Sequence, residues 1–323
     1  MTNIQRSIDG SNWSGITSGG FRQYGKGIAW NSDGSYWVAV GSDKTGGSAY
    51  SNIQVSGDGL NWSGTLGGTP GFYNENQNTG FGIGWNGSYW ISVGTGINQI
   101  NSIQLSVDGT HWSPVESGGF NSIGYGVAWN GSSWVAVGQG NSSTNSIQSS
   151  TDGWTWTDIQ SGGFDNGGGG YVGYGIAWNG SYWVAVGQGN SATNSLQISM
   201  DGLTWTSASS GGFNGYEGRG VAWNGIDLWV AVGQADSAIN SIQISTDGSH
   251  WNDIQSGGFD NGGGGYVGYG IAWNGTDLWV AVGYGDSPQN SIQISTDGNT
   301  WTNISSGGFV NSIGYGVAWN GSY

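Results

Sequence analysis

The apolar positions of this chain fall into short segments of period two, and the segments recur in a fixed order. Residues 174 to 209 show one full set. "YGIAWNG" reads as a strand of small and apolar residues ending in Asn-Gly, a pair suited to a tight type I′ hairpin because both central positions need φ > 0. "SYWVAVG" returns directly and is apolar on both faces, as a strand covered on both sides must be. "NSLQIS" alternates Leu and Ile with Gln and Ser, and "SMDGLTW" then turns the chain into a last short strand, "LTWTSAS". The pattern predicts a four-stranded antiparallel meander.

The same set repeats along the chain. The phrase Ser-x-Asp-Gly-x-x-Trp begins at residues 7, 56, 106, 150, 199, 245 and 295, and successive Trp residues, from Trp13 to Trp301, are 49, 50, 44, 49, 46 and 50 residues apart. A period of roughly 40 to 50 residues carrying four strands is the spacing of propeller blades. One such sheet alone leaves two faces and two edges unprotected, and stacking blades around an axis covers the faces. The glycine-rich first strand suits the crowded axis, and the Trp residues are expected to wedge between blades.

The expected fold class is therefore all-β: a β-propeller of four-stranded antiparallel blades, with residues 1–323 as a single domain. Six complete meanders run from Gly20 to about Ser306. A seventh is divided between "NIQRSIDG" and "GVAWNGSY" and lacks its second strand, so seven blades are expected, the last shared between the termini and incomplete. That gap calls for continuation past Tyr323 or for a strand from a neighbouring molecule. "DIQSGGFDNGGGGYVGYGIAWNG" occurs at 158 and again at 253, a displacement of 95 residues that suggests duplication in two-blade steps.

Composition agrees with turns and aromatic anchors: 68 Gly, three Pro, 14% aromatic and 8% charged residues. Five Lys and Arg against twenty Asp and Glu give a net charge of -15, which argues against nucleic acid and anionic membranes as partners, since both need clustered cations. The absence of Cys excludes disulfides and thiolate metal sites. "MTNIQRSIDG" holds no apolar run of the signal-peptide kind, and no window is long enough for membrane insertion. An extracellular or surface-exposed location, on a virion or a cell, would need a signal already removed or another export route.

The phrase S-x-D-G-x-[NHT]-W resembles the Asp-box, or BNR repeat, of sialidase-like propellers. It has one residue fewer between Asp and Gly than the fullest form of that motif. The resemblance covers essentially the whole chain and implies that the box is the turn between third and fourth strands. Asp9, Asp58, Asp108, Asp152, Asp201, Asp247 and Asp297 are then structural: each carboxylate accepts the turn's own amides, Gly takes the positive φ and Trp anchors the turn. Sevenfold repetition argues the same way, because a catalytic site breaks symmetry. Arrays of "IAWNGSYWVAVG" also look like repeat proteins of giant DNA viruses and environmental bacteria, a resemblance that carries no activity.

Catalytic constellations are not visible. A sialidase needs three converging Arg, and Arg6, the first of the three present, sits at the opposite end of its blade from Arg22 and Arg219. Other glycosidases need two carboxylates about 5 to 10 Å apart. Glu75, Glu116 and Glu217 each occupy a different interblade loop. His111 and His250 share a variable turn position with Asn and Thr, which fits a surface role. "FDNGGGGYVG" lacks the Lys and following helix of a phosphate loop. Asp165 with Asn166, and Asp260 with Asn261, offer oxygen ligands for calcium, but no cofactor or metal is expected and these read as loop polar groups.

A binding surface is better supported. Four residues before each inner-strand Trp stand Lys26, Phe81, Tyr125, Tyr174, Arg219, Tyr269 and Tyr315, which would ring the mouth of the channel. Gln139, Gln188 and Gln234 follow the second strands at the same end, as does Tyr284. Aromatic faces beside neutral amides and hydroxyls suit sugars, whose C–H faces stack while their hydroxyls hydrogen-bond. The alternative is that the tyrosines simply pack beside the channel. The leading expectation is a non-catalytic, lectin-like binding module with glycans or protein surfaces as partners. The competing one is a structural protein of a virion surface, sheath or filament that self-assembles through the incomplete blade. A glycoside hydrolase ranks third.

Overall fold

The computed structural model describes residues 3–31, 33, 36–42, 52–65, 72, 79–215, 217–260, 262–309 and 313–322. The meanders form where the period-two segments lie. Gly173–Trp178 pairs antiparallel with Trp183–Gly187, that strand with Leu196–Ser199, and that one with Thr206–Ser207. Among the described residues six four-stranded meanders of this kind follow one another, and the last two join where Gln234 and Ala235 pair with Val267 and Tyr266.

Two local features differ from the expected ones. The first hairpin is not a two-residue turn: Trp178 pairs with Trp183, which leaves four residues between them. Asn179 Oδ1 accepts the amides of Ser181 and Tyr182 at 2.9 and 2.8 Å, and Gly180 takes φ of 99°. An Asn side chain acting as a backbone acceptor thus stabilises a longer turn. The second difference is a short 3-10 turn, Thr193–Ser195, where the sequence pattern extended the third strand.

The second strands are buried on both faces and set the core between blades. Trp183 and Ala185 face the preceding blade, against Val135 and Val137, while Val184 and Val186 face the following one, against Trp229 and Ala231. The box tryptophans Trp156, Trp205 and Trp251 complete these interblade layers, as the wedge expectation requires. The sequence reading missed the phenylalanines. Phe120, Phe164, Phe213 and Phe259 are fully buried, each at the start of a blade, and each backbone amide is held by a Ser hydroxyl of the preceding blade at 2.7 to 3.2 Å.

The third-strand glutamines are also inside rather than out. Gln148 Nε2 donates to the Gly119 carbonyl at 2.8 Å, and the Gly119 amide donates to Gln148 Oε1 at 2.8 Å. Gln54 with Gly20 and Gln293 with Gly258 repeat the clasp. Buried backbone groups must find partners, so a Gln on the apolar-looking face satisfies the chain arriving from the preceding blade.

The same contacts close the circle. Gly308 N–H donates to Gln5 Oε1 at 3.1 Å, and Trp13 N–H donates to the Ser306 carbonyl at 3.1 Å. Residues 313–319 run beside the axis, and residues 3–15, with strands Gln5–Arg6 and Ser14–Gly15, supply the outer part of this seventh blade. Among the described residues no second strand stands between them.

Each Ser-x-Asp-Gly turn is a network of its own side chains. Asp201 Oδ1 accepts the amides of Leu203 and Thr204 at 2.8 Å each, Gly202 N–H donates to Ser199 Oγ at 2.8 Å, and Trp205 Nε1 donates to the Gly202 carbonyl at 3.1 Å. The other six Asp residues make the same pair of amide bonds. His111 and His250 each place Nδ1 within 2.8 Å of the turn Asp, which gives them the surface role expected.

These bonds favour the carboxylate. The Thr204 and Leu203 amides hold Asp201 below its ordinary range, and the Asn12 side-chain amide brings Asp9 down to about 2. A pKa lower when folded than unfolded adds stability above pH ~4 that is lost as pH falls through the folded value. Asp201→Ala should therefore lower stability at pH 7 by about 1 kcal/mol, as removal of a comparable capping Asp does. Paired thermal melts check this: the gap between wild type and variant should narrow as the pH falls below the ordinary carboxylate range and through the lowered folded value of Asp201.

Candidate functional site

The axis is built from first strands whose edges meet around a narrow channel of about 170 Å³. Glycine is required there by close approach. A Cβ on Gly175 would stand 2.9 Å from the Arg219 carbonyl, and one on Gly220 would stand 2.9 Å from that of Tyr269. The collar continues through Gly316, where a Cβ would meet the Lys26 carbonyl at 2.4 Å, so the seventh blade takes its place in the circle.

One residue before each collar glycine stands a larger side chain, and these seven touch in an unbroken ring. Phe81 and Tyr125 have centroids 4.9 Å apart, as do Tyr125 and Tyr174, and Tyr269 and Tyr315. The Arg219 guanidinium bridges Tyr174 at 4.0 Å and Tyr269 at 5.9 Å. Lys26 Nζ closes the circle, 3.2 Å from the Tyr315 centroid and 5.7 Å from that of Phe81. All seven are half-buried. The structure thus brings together every ring residue the spacing predicts.

Burial sets the protonation of the ring. Tyr125 and Tyr315 are pushed up to about 12 by burial first and by neighbouring tyrosines second, and burial raises Tyr174 and Tyr269 too. The phenols therefore remain neutral hydrogen-bond donors throughout the physiological range. Burial, and then the charge of Arg219, brings the Lys26 ammonium down to about 7, so at neutral pH it carries its proton only part of the time.

Gln139, Gln188 and Gln234 do lie at this end. Gly187 at the end of a second strand pairs with Gly173, next to Tyr174, and Gln188 follows it. Gln188 Nε2 donates to Glu217 Oε1 at 3.2 Å, and Gln139 Oε1 accepts from Ser122 Oγ at 3.1 Å. Gln139 and Gln234 are exposed. Tyr284 is half-buried and pairs with Val267.

Two members were missed. Glu217 forms an ion pair with Arg219, and Tyr24 contacts both Tyr315, at 5.6 Å between centroids, and Lys26 Nζ, at 5.2 Å. Both stand two residues before a ring residue, so strand alternation puts them on the same face, and that signal was available in "EGR" and "YGK".

The seven turn Asp residues lie elsewhere. The turn Ser199 pairs with Trp183, at the end of the second strand remote from Gly187 and the mouth. Asp165 Oδ1 accepts the Gly167 amide at 2.7 Å and Asn166 Oδ1 those of Gly168 and Gly170, so these loop groups fold their own loop. Asp260 does the same with Gly262 at 2.7 Å, while Asn261 and Glu75 lie outside the described residues. Among the described residues no group of three His, Cys, Asp or Glu gathers as metal ligands. Among the described residues no helix is long and apolar enough to cross a membrane.

No protein-family profile matches the chain, and no curated protein is similar to it in sequence. Solved structures do resemble it. A structure of YCF48 bound to a D1 peptide is 15% identical over 87% of this chain and 82% of that one, with a TM-score of 0.52. The computationally designed Ika8 protein is 11% identical over 90% of this chain and 89% of its own, with a TM-score of 0.50. At such identities the likeness is one of fold, and the fold is a β-propeller.

Proposed function

We propose that this chain is a non-catalytic binding module of the Asp-box propeller kind, with the ring at the channel mouth as its ligand site and glycans as the ligand class. The observation that carries the reading is the closed circle of Lys26, Phe81, Tyr125, Tyr174, Arg219, Tyr269 and Tyr315. It offers aromatic edges and neutral phenol donors, with exposed Gln139 and Gln234 beside them, the mixture that a hydroxyl-rich ligand needs. Glu217 is bound by Arg219 and Gln188, which suits a positioning role better than acid or base work. A surface-exposed setting, without cofactor, agrees with this use.

The test is a glycan array followed by titration of the sugar found. Tyr174→Ala should weaken binding at least tenfold while the thermal melt stays cooperative. Unchanged affinity would remove the ring from the account. The second reading is a protein ligand at the same end, favoured by the peptide held in the YCF48 structure. Silence across the array, together with capture of extended peptides that Tyr174→Ala abolishes, would decide for it.

A further inference from the structure

The side chain just ahead of a second-strand Trp reaches across to the next blade. Tyr36, Tyr89 and Tyr182 hold this position ahead of Trp37, Trp90 and Trp183. Their hydroxyls each satisfy the Trp of the following meander: Trp90 Nε1 donates to Tyr36 Oη at 2.9 Å, Trp134 Nε1 to Tyr89 Oη at 3.1 Å and Trp229 Nε1 to Tyr182 Oη at 3.0 Å. Each phenol ring also covers the glycine of the adjoining Ser-x-Asp-Gly turn. A Cβ on Gly109, Gly153 or Gly248 would stand 2.9, 2.7 or 2.8 Å from the ring of Tyr36, Tyr89 or Tyr182. Leu228 and Leu278 cover Gly298 and Gly10 in the same way.

The seam between the third and fourth meanders lacks such a side chain. Ser133 stands ahead of Trp134, and its Oγ donates to Asn130 Oδ1 at 3.3 Å within its own hairpin. Over Gly202 the atoms nearest to an added Cβ are Trp183 Nε1 and Val135 Cγ2, both at 3.3 Å, and none belongs to residue 133. Trp183 is 0% exposed, and among the described residues its Nε1 has no hydrogen-bond partner. A buried donor left alone costs stability and calls for an acceptor. This seam therefore carries a slot with a glycine floor, a valine wall and one orphaned N–H.

We infer that the slot is a binding site for a small phenol, whose oxygen accepts the Trp183 indole N–H while its ring lies over Gly202 against Val135. The neighbouring seams supply the geometry. Trp229 is 0% exposed like Trp183, yet the Tyr182 oxygen reaches its Nε1 from the matching position. Tyr36, Tyr89 and Tyr182 are half-buried, so a phenol seated in this way is entered from solvent. Water would satisfy the donor but leave the valine wall uncovered, and a plain arene would cover the wall but leave the donor alone. A phenol does both. The site is separate from the aromatic ring, because Trp183 pairs with the turn Ser199 at the end of the second strand remote from the channel mouth.

The experiment titrates the protein, labelled with ¹⁵N at its tryptophans, with p-cresol and with toluene. Trp183→Phe identifies the Trp183 indole signal by removing it. That signal should move to saturation with p-cresol at a Kd on the order of 1 mM, modest because the ligand is small and half-exposed. Toluene should bind about fivefold more weakly for want of the hydrogen bond. Ser133→Tyr should shift the same signal without ligand and abolish the p-cresol response, and Ser133→Leu, which copies Leu228, should abolish the response alone. Cooperative melts for both variants confirm that the slot is filled in a folded protein. A Trp183 signal that stays still, equal affinity for toluene, or a p-cresol response that survives Ser133→Tyr would overturn the inference.

Discussion

Trp183→Ala should lower the free energy of unfolding by about 3–5 kcal/mol, the usual cost of emptying a fully buried Trp site. The indole is 0% exposed and lies in a layer with Val135, Val137 and Ile147 of the preceding blade. Its hairpin partner Trp178 has its ring centroid 5.0 Å away, and a Cβ on the turn residue Gly202 would stand 3.3 Å from Nε1. The side chain therefore joins two blades, one hairpin and one turn. Backbone hydrogen bonds hold strands within a blade, and this layer holds blade to blade. Equilibrium unfolding in guanidinium measures the loss, and Trp183→Phe should recover part of it by keeping an aromatic ring in place. A loss under about 1 kcal/mol for the Ala variant would mean that the wedges do not carry the interblade stability.

Gly119→Ala should be nearly as damaging, by about 2–5 kcal/mol, through two additive terms. Gly119 has φ of 93°, a conformation that costs an L-residue about 1–2 kcal/mol. The added Cβ would also stand 2.1 Å from the Gln99 carbonyl, and relieving overpacking of that kind costs about 1–3 kcal/mol. The backbone has little room to yield, because both its amide and its carbonyl are held by Gln148. Gln148→Leu separates the terms: it leaves the glycine conformation in place but strips two buried groups of their partner, at about 1–3 kcal/mol each. Thermal and chemical unfolding of the two variants should both show cooperative loss, and a Gly119→Ala protein as stable as wild type would contradict the close approach.

The blades were legible because their signals are local. "WVAVG" is apolar on both faces only if both faces are covered, and five copies of it, with "WISVG" in the second meander, placed the second strands correctly. The ring was legible because one offset from the inner-strand Trp falls at the same height in every blade. What period two could not show was a polar residue turned inward for a distant partner. Gln148 looks like a surface residue until Gly119, 29 positions earlier, is beside it. The buried phenylalanines were hidden for a similar reason, since "SGGF" reads as a loop and only the neighbouring blade makes it core. Glu217 and Tyr24 were within reach of strand alternation, but a glycine-rich strand offers few side chains from which to read a face.

The measurement that bears most directly on the binding account is ring-carbon NMR of the protein labelled at its 15 tyrosines, titrated with the sugar selected on the array. The account predicts shift changes concentrated at Tyr125, Tyr174, Tyr269 and Tyr315, with Tyr36, Tyr89 and Tyr182 at the far hairpins unmoved. Shifts confined to those hairpin tyrosines, with the ring silent at saturation, would contradict it.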